Sequence, residues 1–169
     1  MIKKVAITGP ESTGKSTLAK DLALYNKSCF VSEFARDYLF KLGRDYNYDD
    51  LLIIAKNHVQ HIENALPRAR EVLFVDTELI NIKIWSLYKY GKCHKWILEN
   101  IQKQNFDLYL LCDVDIPWTY DVLRENPDKG EFFKEWFIKE LEFYKFPYRV
   151  ISGSADDRFR KAISCINNI

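Results

Sequence analysis

The chain has 169 residues, 47% of them hydrophobic and 29% charged, a balance that excludes a disordered or membrane-embedded chain and fits one domain over 1–169. With 25 Lys and Arg against 24 Asp and Glu, no excess of positive charge argues for a nucleic acid as partner. Cys29, Cys93, Cys112 and Cys165 include no C-x-x-C pair, and the apolar stretch ending at Gly9 is too short for a signal peptide or membrane span, so free thiols in the cytoplasm are expected.

Val5, Ala6 and Ile7 form an apolar run closed by Thr8 and Gly9, after which Leu18, Leu22 and Tyr25 follow helical spacing; strand, loop and helix are predicted. Cys29-Phe30-Val31 predicts a second strand, and Phe34, Tyr38, Leu39 and Leu42 a helix that ends at Gly43. Asp49 or Asp50 is the expected cap of a longer helix with Leu51, Ala55, Val59, Ile62 and Leu66 on its inner face and Pro67 as its stop. The continuous apolar run 72–76 ends in an acid, as expected of a strand buried on both faces of a parallel sheet. Residues 108–112 repeat that character, 148–151 do so more weakly, and helical patterns fill the gaps. The alternation predicts an α/β three-layer P-loop NTPase fold with a mostly parallel five-stranded sheet, whose ligands lie beyond the carboxyl ends of the strands.

The strongest chemical signal is Gly9-Pro10-Glu11-Ser12-Thr13-Gly14-Lys15-Ser16-Thr17, a full G-x-x-x-x-G-K-[ST] match between a predicted strand and a predicted helix. Such a loop turns backbone N–H groups toward phosphate oxygens, which requires glycine where the chain bends back. Gly9, Ser12, Thr13, Gly14, Lys15, Ser16 and Thr17 are therefore the expected ATP-binding residues. Lys15 would face the β- and γ-phosphates, the Ser16 hydroxyl would ligate Mg2+, and Thr17 would assist at the α-phosphate. Asp76 closes its strand at the same sheet edge and is expected to hold Mg2+ through a water; it can also cap the helix that starts at Thr77 or Glu78.

Glu33, Arg36 and Asp37 follow the second strand and are expected at the ligand edge, with Glu33 as candidate general base for the accepting hydroxyl. A plain Glu33–Arg36 pair on a helix surface is the alternative. Trp118, Tyr120, Arg124 and Lys129, among Pro117, Pro127 and Gly130, read as a cover that brings cations such as Arg124 to the transferring phosphoryl group, or as an exposed loop leading to a 132–137 helix. Trp85, Tyr88 and Tyr90 at helical spacing read as core. His58, His61 and His94 have no partner at metal-ligand spacing and are assigned no chemistry. A loop at 153–157 is a candidate for the adenine.

Taken together with Glu-Phe-Ala-Arg-Asp-Tyr-Leu at 33–39, Phe-Val-Asp-Thr-Glu at 74–78, Asp-Val-Asp-Ile-Pro-Trp at 113–118 and Leu-Arg-Glu-Asn-Pro at 123–127, the P-loop makes the chain resemble the nicotinamide riboside kinase domain of NadR-type proteins. The resemblance runs through nearly the whole chain. It implies a nucleoside-monophosphate-kinase-like fold that transfers the γ-phosphoryl group of ATP to the 5′-hydroxyl of nicotinamide riboside, giving nicotinamide mononucleotide. It also implies that Trp118 stacks on the cationic nicotinamide ring and that Glu33 and Asp76 flank the ribose. Two departures from the resemblance are expected: 169 residues leave no room for DNA-binding and adenylyltransferase domains beside this one, and Gly130 stands where lids of such proteins often carry arginine. A kinase for another nucleoside or nucleotide, and a nucleotide-dependent regulatory switch, remain open readings, as does the oligomeric state.

Overall fold

The computed structural model describes residues 1–169. Five strands, β1 (Lys3–Thr8), β2 (Phe30–Val31), β3 (Val72–Asp76), β4 (Leu108–Cys112) and β5 (Tyr148–Ile151), form one sheet in the order β2-β3-β1-β4-β5. All four pairings are parallel, so the sheet is wholly rather than mostly parallel. Helices α1 (Lys15–Tyr25), α2 (Phe34–Leu42), α3 (Tyr48–Ala65), α4 (Leu79–Tyr90), α5 (Lys95–Asn100), α6 (Gly130–Phe143) and α7 (Ala155–Ile166) cover its two faces.

The period-2 alternation of a strand sorts the apolar residues into two cores. Val5, Ile7, Val72, Phe74, Leu108 and Leu110 face Leu18 and Leu22 of α1 and Ala162 and Ile166 of α7. Ala6, Leu73, Val75, Tyr109 and Leu111 face the larger cluster built with α3, α4 and α6, which includes Leu51, Ile54, Ile80, Ile84, Phe133 and Phe137. Both faces of β3 and β4 are thereby buried, the physical reason that their sequences read as unbroken apolar runs.

Several element ends differ from expectation. The cap of α3 is Asn47, not Asp49 or Asp50: the Asn47 side chain accepts the N–H groups of Asp49 and Asp50, and the Asp50 side chain accepts the Asn47 N–H, forming a capping box. Asp50 is buried and also receives both Arg44 terminal nitrogens, at 2.7 and 2.8 Å. The buried stripe of α3 runs through Leu51, Ile54, Ala55, His58, Ile62 and Ala65, leaving Val59 and Leu66 at its margin. The stripe contains a histidine, so apolar periodicity alone misplaced it. Residues 155–157 form the first turn of α7, capped by Ser154, rather than a free loop. No helix is long and apolar enough to cross a membrane.

Glu78 caps α4 and is fully buried, accepting the Thr8 hydroxyl proton at 2.9 Å and the Ile80 N–H at 2.6 Å. Burial pushes its carboxyl up to about 7 from an ordinary 4.5, against the lowering effect of those hydrogen bonds. Because the folded state holds this proton more tightly than the unfolded chain, the associated stability is complete below the ordinary value and is lost as pH rises through about 7. Thermal unfolding at acidic and mildly alkaline pH should show a loss on the order of 3 kcal/mol across that window. Glu78→Gln should flatten the slope; an unchanged slope would place the pH dependence in other groups.

Candidate active site

The phosphate loop leaves β1 through two positions that need glycine. Gly9 has φ 129°, and a Cβ there would stand 2.8 Å from the Cys112 carbonyl oxygen of β4. Gly14 has φ 78° and leads into α1. Within the loop the Thr13 hydroxyl and the Lys15 ammonium donate to the Pro10 carbonyl, at 2.8 and 2.7 Å. Sheet register places Ile7 beside Asp76, so the acid that ends β3 emerges next to this loop. The Ser16 hydroxyl donates to Asp76 Oδ2 at 2.5 Å.

Asp76 is 1% exposed, and its Oδ1 is buried with no hydrogen-bond partner. Burial raises its carboxyl above the usual carboxylate range, while Lys15 and the Ser16 hydrogen bond pull it down. An orphaned carboxylate oxygen beside a serine hydroxyl fits a magnesium site of the P-loop type, in which serine binds the cation directly and the acid through water. Glu33, at the N-cap of α2, makes no capping hydrogen bond. Burial raises its carboxyl as well, Lys15 opposes the rise, Asp76 adds to it, and Arg36 and Arg124 oppose it. Two carboxyls thus share one lysine.

One cavity of about 660 Å³ joins these groups. Gly9, Ser12, Thr13, Gly14, Lys15, Ser16, Thr17, Glu33, Arg36, Asp37, Asp76 and Arg124 all line it. Arg36 reaches across to Asp121 at 2.5 Å instead of pairing with Glu33 on the helix surface.

Trp118 is absent from that lining. Its indole N–H donates to Glu11 Oε1 at 3.3 Å, and the same carboxylate accepts the N–H groups of Asn126 at 2.6 Å and Glu125 at 3.1 Å. Ser12 Oγ accepts the Thr119 N–H at 2.8 Å. The phosphate loop itself therefore fastens the segment between β4 and α6, with Trp118 half-buried against Glu11 and Asp121 to Asn126 in the cavity wall. Trp118, the residue expected to stack on the nicotinamide, thus borders the phosphate loop through Glu11 and is not itself part of the cavity lining. Gly130 opens α6, where a Cβ would lie 3.1 Å from Val114 Cγ1, so a side chain there would require Val114 to yield by a few tenths of an ångström. Lys129, one residue earlier, donates to the Tyr88 hydroxyl.

The aromatic wall comes instead from residues that periodicity assigns to the core. Trp85 and Tyr88 of α4 line the cavity with Asn81 and Ile84, whereas Tyr90 donates to the Tyr46 carbonyl. Tyr46 crosses Trp85 edge to face at 5.0 Å, accepts the Trp85 indole N–H at 2.9 Å and donates to Glu125 at 3.0 Å. A signal for this face did exist: α4 starts at the carboxyl end of β3, so its positions 81, 84, 85 and 88 share one side at helical spacing directly below the ligand edge.

A family model described as an AAA domain matches residues 4–158. The chain belongs to this family. The AAA domain is also similar to the trifunctional NAD biosynthesis/regulator protein NadR of Escherichia coli K12, with 32% identity over 176 residues. That alignment covers 99% of this chain but 43% of the relative, so the chain spans less than half of the relative's length. Among solved structures, a NadR protein in complex with NR has TM-score 0.81 at 21% identity, covering 99% of this AAA domain and 51% of that chain. The thymidylate kinase of Ehrlichia chaffeensis has TM-score 0.71 at 16% identity over 97% of this AAA domain and 98% of the kinase. The fold is that of P-loop nucleoside and nucleotide kinases.

Proposed function

We propose that this AAA domain transfers the γ-phosphoryl group of ATP to the 5′-hydroxyl of nicotinamide riboside, a step of NAD salvage. The observation that carries the proposal is the single cavity in which the phosphate loop, two carboxyls of raised pKa and an aromatic wall meet. The ligand names of the NadR relative and of the NadR structure bound to NR support the choice of acceptor.

The backbone N–H groups of 11–15 and the Lys15 ammonium hold the triphosphate, and the N-terminus of α1 adds its partial positive charge. Ser16 and, through water, Asp76 hold Mg2+, which supplies neutralisation of charge on the phosphate oxygens. Glu33 accepts the proton of the attacking hydroxyl. Asp76 is engaged with Ser16, whereas Glu33 has no hydrogen-bond partner of its own, and a carboxylate of raised pKa is the stronger base. Arg124 and Arg36 bring positive charge to the same wall and steady the transferring group. The cover fastened by Glu11 and Ser12 keeps water from the γ-phosphate.

At the acceptor end the Trp85 face, with Tyr46 and Tyr88 beside it, takes the planar nicotinamide cation. A cation on an indole face in a partly desolvated site contributes about 1 to 2 kcal/mol, hence roughly five- to thirtyfold in affinity. Trp85→Ala should weaken nicotinamide riboside by that factor in calorimetric titration and leave an ATP analogue unaffected, with Trp85→Phe intermediate. Equal weakening of both ligands would instead mark a displaced cover. Turnover of ATP against a panel of nucleosides tests the acceptor: a preference for another nucleoside would make this a different nucleoside kinase, and ATP hydrolysis indifferent to every acceptor would favour a nucleotide switch.

A further inference from the structure

His58 and Thr77 stand directly behind the acid that ends β3. Thr77 is 4% exposed and has φ 66°, the left-handed region that a β-branched residue enters only when its surroundings hold it there. Two hydrogen bonds do so. The Thr77 N–H donates to the Ile7 carbonyl at 2.8 Å, extending the β1–β3 ladder by one step. The Thr77 carbonyl accepts from His58 Nε2 at 3.0 Å. His58 lies on the buried stripe of α3, is 2% exposed, and its Nδ1 has no partner. A carbonyl can only accept, so Nε2 carries the proton; burial, which lowers the ring to about 4, keeps Nδ1 bare.

The reversal at Thr77 sets what its two neighbours do. Before it, Asp76 turns toward Ser16; after it, Glu78 returns to extended backbone and caps α4 while receiving the Thr8 hydroxyl. A relaxed Thr77 would swing the backbone that carries the Asp76 side chain.

We propose that His58 is a positioning residue which, by holding Thr77 in its left-handed conformation, aims Asp76 at Ser16 and so presents the metal-bearing carboxylate. The inference rests on the proposed role of Asp76 at Mg2+.

The test is calorimetric titration of ATP with Mg2+ and in EDTA, the ratio of the two affinities being the metal gain, alongside circular dichroism and thermal unfolding. Wild type is expected to show a gain and Asp76→Asn to lose it. His58→Leu should lower the gain about tenfold, the scale of one lost hydrogen bond, with the EDTA affinity unchanged. His58→Gln keeps a donor and should stay within about threefold of wild type. The decisive variant adds Thr77→Gly to His58→Leu: glycine takes positive φ without help, so the gain should return to within about threefold of wild type. A histidine that merely fills the core would not be rescued by a glycine on another element.

Absence of a gain in wild type, or its survival in Asp76→Asn, removes the role of Asp76 and the inference with it. Loss of the gain in Asp76→Asn but not in His58→Leu overturns the inference alone, as does a folded double variant that lacks it. Should His58→Leu fail to fold, the double variant decides by itself: folded with the gain supports the account, and unfolded or without the gain contradicts it.

Discussion

Lys15→Ala should lower phosphoryl transfer by about two to three orders of magnitude, the scale of removing one preorganised donor from developing oxyanion charge. Its fold should survive, because the ammonium's protein contact is a single hydrogen bond to the Pro10 carbonyl within the loop. The same substitution has an electrostatic signature. Lys15 lowers the pKa of both Glu33 and Asp76, so its loss lets burial raise both carboxyls further. Residual transfer in Lys15→Ala should therefore need a higher pH than transfer in wild type. Turnover, circular dichroism and the pH–rate profile together check this. Wild-type turnover in a folded variant would remove the P-loop from the chemistry.

Glu33→Gln should lower transfer by about two to four orders of magnitude, the usual contribution of a positioned base, while ATP binding stays nearly unchanged. The sign of the pH effect follows from the direction of the shift. A base must be ionised, and burial holds Glu33 above the ordinary glutamate range, so the rate rises with pH through an unusually high acid limb. Asp76 contributes to that elevation, so in Asp76→Asn the limb should move to lower pH even as metal-dependent binding suffers. Glu33→Gln should abolish the limb. If Glu33→Gln retains its rate and Asp76→Asn loses transfer with intact metal-dependent binding, the base is Asp76.

How far such residues were legible depends on whether chain position alone fixes where they point. Val72–Asp76 could be read as a doubly buried strand because five consecutive buried residues leave no other periodicity, and its final acid then had to emerge at the ligand edge. The glycine loop was legible for a similar reason: the conformations at Gly9 and Gly14 are ones that a side chain would resist.

Helix faces were harder to read. Trp85 and Tyr88 lie at spacings that suit either a core or a pocket wall, and only the placement of α4 beneath the sheet edge decides for the pocket. Trp118 depends on a distant contact: Glu11 of the phosphate loop, more than a hundred residues away in sequence, accepts its indole N–H, which no local pattern reveals. The tight approach of Gly130 to Val114 is likewise a contact that no local pattern reveals. His58 was set aside for want of metal-ligand spacing, while its partner proved to be a backbone carbonyl.

The account's central claim concerns the acceptor, and it is tested most directly by following product formation from ATP, Mg2+ and nicotinamide riboside by phosphorus NMR, in wild type and in Trp85→Ala. The account predicts a new phosphomonoester on nicotinamide riboside matched one to one by ADP. It further predicts that Trp85→Ala needs roughly five- to thirtyfold more of the riboside to reach the same rate. ADP accompanied only by inorganic phosphate, at a rate unchanged when nicotinamide riboside is left out, would contradict it.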